Sequence, residues 1–269
     1  MSTQDVSEHK QTKTRGEYFF AGNCNYKCFF CISDEIGVKK TKGSNLRINE
    51  WIELLKQENV EMITLSSFNC EPTIQKDFMF VAQTLLDHGF KLELRTNGEF
   101  KHTDEMYALL NKFENIWFSI QSLNSDTLYQ IAKVKKVPNF SEIWNKLPNV
   151  NCRVSFLVNH YNEFELPTLL EMVSKTQVKV AQVRKFYSEE NNDRIDEDTK
   201  AFNTAKDYVN TLPKVQNSIY DEHSYANVHI SLWDDVLENE AGIKYFPYTE
   251  LITNVGRIVP MLQEIERGK

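Results

Sequence analysis

Three cysteines, Cys24, Cys28 and Cys31, lie within eight residues with the spacing C-x3-C-x2-C. Soft thiolates of this kind select zinc, copper(I) or an iron–sulfur cluster. A [4Fe–4S] cube normally takes four cysteines, so a cube held by three leaves one iron open to a small molecule. The alternatives are a zinc site and surface thiols that bind no metal, but structural zinc sites generally need a second Cys or His arm, and none follows this one.

Phe30 precedes the last of these cysteines, so the stretch resembles the C-x3-C-x-aromatic-C signature of radical S-adenosylmethionine (SAM) enzymes. The resemblance implies a [4Fe–4S] cluster on Cys24, Cys28 and Cys31, with Phe30 among the residues around the cofactor. It also implies that SAM binds the open iron and is cleaved reductively to a 5′-deoxyadenosyl radical. The electron would come from an external donor such as flavodoxin or ferredoxin.

The composition limits the other classes of function. The chain has 269 residues, 41% of them hydrophobic, and a net charge of −7. This charge argues against a broad nucleic-acid or anionic-membrane surface, and no segment is apolar enough to suggest a signal peptide or a membrane span. Five cysteines, three of them crowded, do not resemble a disulfide framework. We therefore expect a cytoplasmic protein with a polar, mobile tail at residues 1–15.

From residue 16 onward, strand-like runs alternate with amphipathic stretches, which indicates repeated βα units and a parallel sheet. The predicted strands are Glu17–Ala21, Met62–Phe68, Lys91–Asn97, Ile116–Ser122, Cys152–Val158 and Val178–Phe186. The predicted helices are Asn49–Gln57, Thr73–His88, Thr103–Lys112, Asn124–Val134, Ser141–Leu147 and Glu163–Ser174. Plausible N-caps stand at Asn49, Thr103, Asn124, Ser141 and Asn162.

The strands alternate in polarity, which points to an open barrel. In the fourth strand, Phe118 and Ile120 share one face, while Ser119 and Gln121 share the other. A closed barrel would be filled with aliphatic side chains, and strands of a doubly wound sheet would be apolar on both faces. One face can thus meet helices, and the other can line a wet cavity. We predict an α/β fold, a partial (β/α)6 barrel at residues 16–187, as the family resemblance also implies.

Ligands of parallel sheets bind at the carboxyl ends of the strands, so the turns there are candidate sites. Asn69-Cys70-Glu71-Pro72 is similar to the family's Gly-Gly-Glu-Pro turn, in which the Glu helps to hold the amino group of SAM, although both glycines are replaced. Thr96-Asn97-Gly98 is likewise similar to a turn common in the family, so Asn97 is a predicted cofactor residue. Cys70 is the candidate catalytic residue, as a hydrogen-atom donor; alternatively, it is only a small residue in a tight turn.

Polar residues on the inner face of the later strands complete the predicted site. The resemblance places Ser119 and Gln121 near the ribose of SAM, and Arg153 could pair with its carboxylate through a bidentate contact. Gln182 and Arg184 on the sixth strand are the predicted substrate contacts. For each of these residues, an ordinary surface ion pair or amide remains the alternative. Cys152 is predicted to lie in the core, and the six histidines show no ligand spacing.

Residues 188–269 are predicted to form a small α+β extension that caps the barrel. The segment 188–198 reads as a loop, Thr199–Leu212 as a helix, Asn227–Trp233 as a strand and Tyr248–Pro260 as a hairpin with Asn-Val-Gly at its turn. The hairpin is similar to the one that opens the SPASM or twitch extensions of peptide-modifying family members. No cysteine follows Cys152 in this sequence, so we expect no second all-cysteine cluster here.

We expect a radical SAM enzyme that abstracts a hydrogen atom from a peptide or small-metabolite substrate, with a redox-neutral or donor-assisted outcome. The hairpin favours a peptide or an amino-acid-derived metabolite, whereas Cys-Asn-Tyr-Lys-Cys also occurs in viperin-like nucleotide enzymes. The competing hypothesis is a non-catalytic iron–sulfur or zinc protein that senses redox state or scaffolds a partner, and the altered Asn69-Cys70 turn motivates it.

Overall fold

The structure, a computed structural model, describes residues 15–31, 48–67, 70–185, 192–216 and 222–233, and the backbone of four short strands beyond them. Six parallel strands in chain order form the centre of its sheet. They are β1 (Arg15–Phe19), β2 (Met62–Ser66), β3 (Lys91–Thr96), β4 (Asn115–Ile120), β5 (Asn151–Leu157) and β6 (Val180–Arg184). The six predicted strands are therefore confirmed, with ends that differ by a few residues.

Helices connect these strands, as a parallel sheet requires. They are α1 (Ile48–Gln57), α2 (Phe78–Asp87), α3 (Asp104–Leu110), α4 (Ser125–Ala132), α5 (Phe140–Asn145), α6 (Leu166–Ser174) and α7 (Asn192–Asn210), and a 3₁₀ turn at Pro72–Ile74 precedes α2. Among the residues that the structure describes, no helix combines the length and apolar character needed to span a bilayer.

Strands from the last part of the chain extend both edges of the sheet. At one edge β8 (Val228–Trp233) pairs in parallel with β6, and β7 (Glu222–Tyr225) pairs antiparallel with β8. At the other edge β11 (Glu250–Thr253) pairs in parallel with β1, and β12 (Ile258–Pro260) is its antiparallel neighbour. The predicted hairpin is confirmed, although its turn lies outside the described residues. A separate two-stranded ribbon joins β9 (Leu237–Glu238) to β10 (Lys244–Tyr245).

Apolar side chains in register form the face of the sheet that meets the helices. Ile120, Phe156 and Val183 are neighbours across β4, β5 and β6, and all three are fully buried. Cys152 is 3% exposed and belongs to the same core, as predicted. The largest side chains without solvent exposure are Trp51, Trp144, Phe78, Phe118, Phe156 and Phe202. The predicted alternation of the strands is confirmed, because the apolar positions alone enter this core.

Four local predictions need correction, and the first concerns Asn49, which lies inside α1 and does not cap it, because this helix already includes Ile48. Thr103 and Asn124 cap α3 and α4 as expected, but Asn139 caps α5 in place of Ser141. Asn162 does not cap α6, because its carboxamide bonds the turn after β5. The predicted loop at 188–198 is wrong from Asn192 onward, where α7 begins, and its residues 188–191 lie outside the described part of the chain. Acidic residues are favourable near a helix N-terminus.

Candidate active site

The loop with the three cysteines, residues 22–31 and here named the cysteine loop, leaves the C-terminal end of β1 and lies on the C-terminal end of α4. The backbone N–H of Lys27 donates to the carbonyl of Ala132 at 2.8 Å, and that of Phe29 donates to Ile131 at 3.0 Å. These carbonyls belong to the last turn of a helix, where no further turn of that helix accepts them. The C-terminal turn of α4 therefore holds the loop in place through these two backbone hydrogen bonds.

A small apolar cluster fixes the same contact. Tyr26 is 6% exposed and packs with Leu128 and Ile131 of α4, while Cys28, Phe29 and Phe30 border the cluster. Phe29 and Phe30 meet edge to face at 5.1 Å between ring centroids. The aromatic residue of the motif thus helps to hold the loop on the helix. Its predicted place beside the cofactor stays a prediction.

The chemistry of the three thiols suits a cationic metal group. Burial, reinforced by the charges of Cys24 and Cys31, raises the pKa of Cys28 to about 12. Loss of hydration is also the main cause that raises the pKa of Cys24 to about 11, with Glu71 and Cys31 adding to it. A bound cation offsets such repulsion between thiolates. Among the described residues no three His, Cys, Asp or Glu side chains are already arranged to hold a metal ion.

Glu71 occupies the turn after β2 and is only 3% exposed. Its Oε1 accepts hydrogen bonds from the Thr73 hydroxyl at 2.7 Å, the Thr73 N–H at 3.2 Å and the Thr96 hydroxyl at 2.7 Å. Its Oε2 accepts one bond, from the Asn97 N–H at 2.8 Å. Burial raises the pKa of this carboxyl, and these four hydrogen bonds oppose the rise. Glu71 therefore joins the turn after β2 to the turn after β3.

Asn97 carries the connection on to the cysteine loop. Its Nδ2 donates to Oδ1 of Asn25 at 2.8 Å, and its Oδ1 accepts from the Glu99 N–H at 2.9 Å. Asn25 in turn donates to the carbonyl of Glu99 at 2.8 Å. Gly98 turns the chain between them with φ +83°, a conformation that favours glycine. The cysteine loop is thus bonded to the end of β3 by a closed set of amide contacts.

Gln75 adds a further link between the cysteine loop and the turn after β2. Its Nε2 donates to the carbonyls of Asn23 and Glu71, at 2.9 and 2.8 Å. Gly22 leaves the space for it, because a Cβ at that position would collide with the Gln75 carboxamide. Three turns, those after β1, β2 and β3, therefore form one hydrogen-bonded unit.

Cys70, the candidate catalytic residue, is partly buried beside this unit. Its N–H donates to Ser67 Oγ at 2.9 Å, and its thiol lies 3.4 Å from the carbonyl of Phe20. Burial raises its pKa to about 11. Asn69, its neighbour in the altered turn, lies outside the described residues. A protonated thiol held in this way is compatible with hydrogen-atom donation, which stays a prediction.

The inner face of β4, β5 and β6 carries the remaining predicted residues. Ser119, Ser155 and Gln182 are neighbours in register across the three strands. Arg153 places its guanidinium over the Trp117 ring at 5.2 Å. Two atoms of this face, Gln121 Oε1 and Arg153 Nε, are buried without a hydrogen-bond partner among the described residues. Arg184, at the end of β6, is exposed.

His160 was not predicted as a site residue, yet it lies at the same edge of the sheet. Its Nδ1 is 2.7 Å from Oδ1 of Asp198, and its N–H donates to that same oxygen at 2.9 Å. Asp198 is fully buried on α7. The imidazole packs against Tyr161 at 3.9 Å between ring centroids, and both rings lie near Phe29 in the cysteine loop, at 5.9 and 5.7 Å. Its partner stands 38 residues away, so no local signal in the sequence could have found the pair.

These features agree with a comparison against protein families. The family model described as "Radical SAM superfamily" matches residues 18–173, from β1 to α6. The chain belongs to the radical SAM superfamily. This superfamily consists of enzymes that use a [4Fe–4S] cluster and SAM, so the predicted family, enzyme class and cofactor pair are confirmed at that level. Among the described residues, the three thiols of the cysteine loop are donors of the kind that such a cluster takes.

Two curated relatives match part of the radical SAM chain. GTP 3′,8-cyclase of Haemophilus influenzae is 26% identical over 170 residues, which cover 58% of this chain and 49% of the relative. S-adenosylmethionine-dependent nucleotide dehydratase of Selenomonas ruminantium is 27% identical over 114 residues, 40% of this chain and 39% of the relative. The chain therefore spans less than half the length of these two relatives.

Solved structures support the fold. Streptococcus suis SuiB bound to S-adenosylmethionine superposes with a TM-score of 0.66 at 15% identity, over 93% of this chain and 60% of SuiB. anSMEcpe with bound AdoMet superposes with a TM-score of 0.58 at 14% identity, over 92% and 73% of the two chains. At this identity the likeness concerns the fold alone, and it confirms the predicted α/β partial barrel.

Proposed function

We propose that this chain cleaves SAM reductively and uses the resulting 5′-deoxyadenosyl radical to abstract a hydrogen atom from a peptide or a small metabolite. The observation that carries the proposal is the cysteine loop. Its three thiols stand at the C-terminal edge of a parallel sheet, and the turns after β2 and β3 are hydrogen-bonded to it. When bound, the cluster supplies one electron and an open coordination position for the cofactor.

Cys24, Cys28 and Cys31 would hold the cluster, and Glu71 would receive the ammonium group of SAM. Oε1 of Glu71 already accepts three hydrogen bonds, whereas Oε2 accepts one and keeps a lone pair for a donor from the ligand. Asn97 then acts by fixing Glu71 and the cysteine loop in one position.

The face of β4 and β5 would contact the rest of the cofactor. A buried N–H or carbonyl oxygen without a partner costs about 1–3 kcal/mol, which a ligand can recover. Arg153 Nε and Gln121 Oε1 are such atoms, and Ser119 lies two residues before Gln121 on the same face. An anionic group suits Arg153, since a guanidinium forks to a carboxylate. Gln182 and Arg184, farther along the sheet, would contact the substrate.

Anaerobic reconstitution with iron and sulfide, followed by dithionite and SAM, tests the proposal. We expect a protein with about four irons and formation of 5′-deoxyadenosine, and we expect Cys28→Ala to abolish both. Cys152→Ala is the matched control, because it removes a thiol of the core that is 3% exposed and lies away from the loop. A colourless protein that holds one zinc, with no cleavage of SAM, would refute the enzyme and support the non-catalytic alternative.

A further inference from the structure

An exposed group of lysines and one tyrosine adjoins the cysteine loop. Lys27 belongs to the loop itself, and Lys133 and Lys135 follow α4; all three are exposed. Their neighbour Tyr129 is 44% exposed, with the ammonium groups of Lys133 and Lys135 at 5.7 and 5.4 Å from its ring centroid. These four residues are named the basic rim.

The basic rim and the cysteine loop are joined by hydrogen bonds and by packing on α4. Lys27 N–H bonds the carbonyl of Ala132, the residue before Lys133, so the two lysines are close in space. The buried side of α4 packs against Tyr26 and borders Cys28. The rim therefore sits on the outer side of the helix whose inner side holds the loop.

The charge of the rim is opposite to that of the whole chain, which is −7. Lys136 lies beside the rim, but its ammonium is paired with Glu99 at 2.5 Å. Asp126, exposed on the first turn of α4, is the acidic residue nearest in sequence to Tyr129. Among the described residues of the cysteine loop, α4 and the segment up to Lys136, the three lysines of the rim therefore outnumber the exposed acidic side chain of Asp126.

We propose that the basic rim is the docking surface for a small acidic one-electron carrier protein of the flavodoxin type. The inference rests on the proposed function, which requires one electron from outside. In the docked complex the reduced carrier is oxidised by one electron, and the cluster held by the cysteine loop is reduced by one. Electron transfer weakens steeply with distance, so the carrier must dock beside this loop.

The electrostatics favour such a partner. A chain with net charge −7 repels an acidic carrier at long range. A local cluster of lysines attracts the carrier to the surface beside the cysteine loop, where electron transfer can occur. Complexes for electron transfer are also small and transient, which suits a rim of four residues. The three lysines are too few for a broad nucleic-acid surface, which needs a longer basic stripe.

The double variant Lys133→Glu/Lys135→Glu tests the proposal in the reconstituted protein. Stopped-flow mixing with the hydroquinone of a bacterial flavodoxin measures cluster reduction, and thermophoresis with oxidised flavodoxin measures binding without turnover. We expect the second-order rate constant to fall about tenfold or more at low ionic strength, and the binding to weaken with it. Both differences should shrink as salt is added.

Lys56→Glu/Lys175→Glu is the matched control. It makes the same change of net charge, but Lys56 lies in the last turn of α1 and Lys175 follows α6, at the edge of the sheet opposite the cysteine loop. We expect little loss of rate in this variant, and both variants should keep wild-type cleavage of SAM with dithionite. A fall of the same size in both variants, or in neither, overturns the docking site.

Other results separate the two proposals. If wild-type protein takes electrons from flavodoxin through the rim but never cleaves SAM with dithionite, the proposed function fails and the docking surface stands. If a synthetic poly-glutamate peptide binds in a rim-dependent way while flavodoxin does not, the rim is a peptide site and the docking proposal is wrong.

Discussion

The turns after β1, β2 and β3 and the inner face of β4 and β5 lie on the same sheet, but they differ in how fully their polar groups are paired. In the turns, both oxygens of Glu71 and the carboxamides of Asn97 and Asn25 have protein partners. On the inner face, Gln121 Oε1 and Arg153 Nε have none among the described residues. Folding thus pairs the polar groups of the first region, whereas we expect a ligand to pair those of the second. Variants of the two regions should therefore differ in how far they change the stability of the protein and its binding of SAM.

Glu71→Gln should give the largest effect on folding. The amide keeps the shape but presents an NH₂ group to a pocket in which all four contacts are donors, so hydrogen bonds to a charged group are lost. We expect a loss of about 3 kcal/mol in the free energy of unfolding, measured by urea denaturation. SAM binding to the reconstituted protein should be lost as well. A stability within about 0.5 kcal/mol of wild type would contradict the account of this turn.

Asn97→Ala should have an intermediate effect. It removes two hydrogen bonds, to Asn25 and from Glu99, which together contribute about 2 kcal/mol. Because Asn25 lies in the cysteine loop, we also expect a lower iron content after reconstitution.

Asn111→Ala is the control for this variant. Asn111 donates to the carbonyls of Tyr107 and Lys146, at 2.9 and 2.8 Å, and accepts from the Asn149 N–H at 3.4 Å, so none of these bonds involves the cysteine loop. It should lower the stability by a similar amount and leave the iron content at the wild-type value. An equal loss of iron in both variants would mean that Asn97 acts only through general stability.

Arg153→Met should give the smallest change in stability, within about 1 kcal/mol of wild type. It removes the contact with Trp117, but it also removes a buried N–H without a partner, and the two effects oppose each other. Binding of SAM, measured by equilibrium dialysis, should weaken at least tenfold. If binding is unchanged, Arg153 is a structural residue and the inner face is completed by something other than this cofactor.

The sequence predicted what depends on local pattern. The alternation of Phe118 and Ile120 with Ser119 and Gln121 follows from strand geometry, and the C-x3-C-x2-C spacing depends on one loop. The prediction of Glu71 and Asn97 as neighbours of a ligand also came from the family motif. The hydrogen bond between them could not be predicted, because it joins the Asn97 N–H and Oε2 of Glu71, which lie in turns after different strands.

Two of the wrong or missing predictions have the same cause, which is contact between residues that are distant in sequence. Asn162 resembles a helix cap in sequence, but its carboxamide donates hydrogen bonds to the backbone carbonyls of Leu157 and Gln121. The His160–Asp198 pair depends on how α7 packs against the turn after β5. The beginning of α7 was missed because its polar first turns show no apolar periodicity, which is the signal for a helix in sequence.

The pairing of β11 with β1 has a consequence for synthesis of the chain. Arg15 is aligned with Leu251, so one edge of the first strand finds its neighbour only after the chain has been synthesised as far as this distant segment. Contacts between such distant residues form slowly, and an open strand edge invites association with other nascent chains in the meantime. The cysteine loop follows directly on that strand, so the loop is synthesised well before this edge of the sheet is paired.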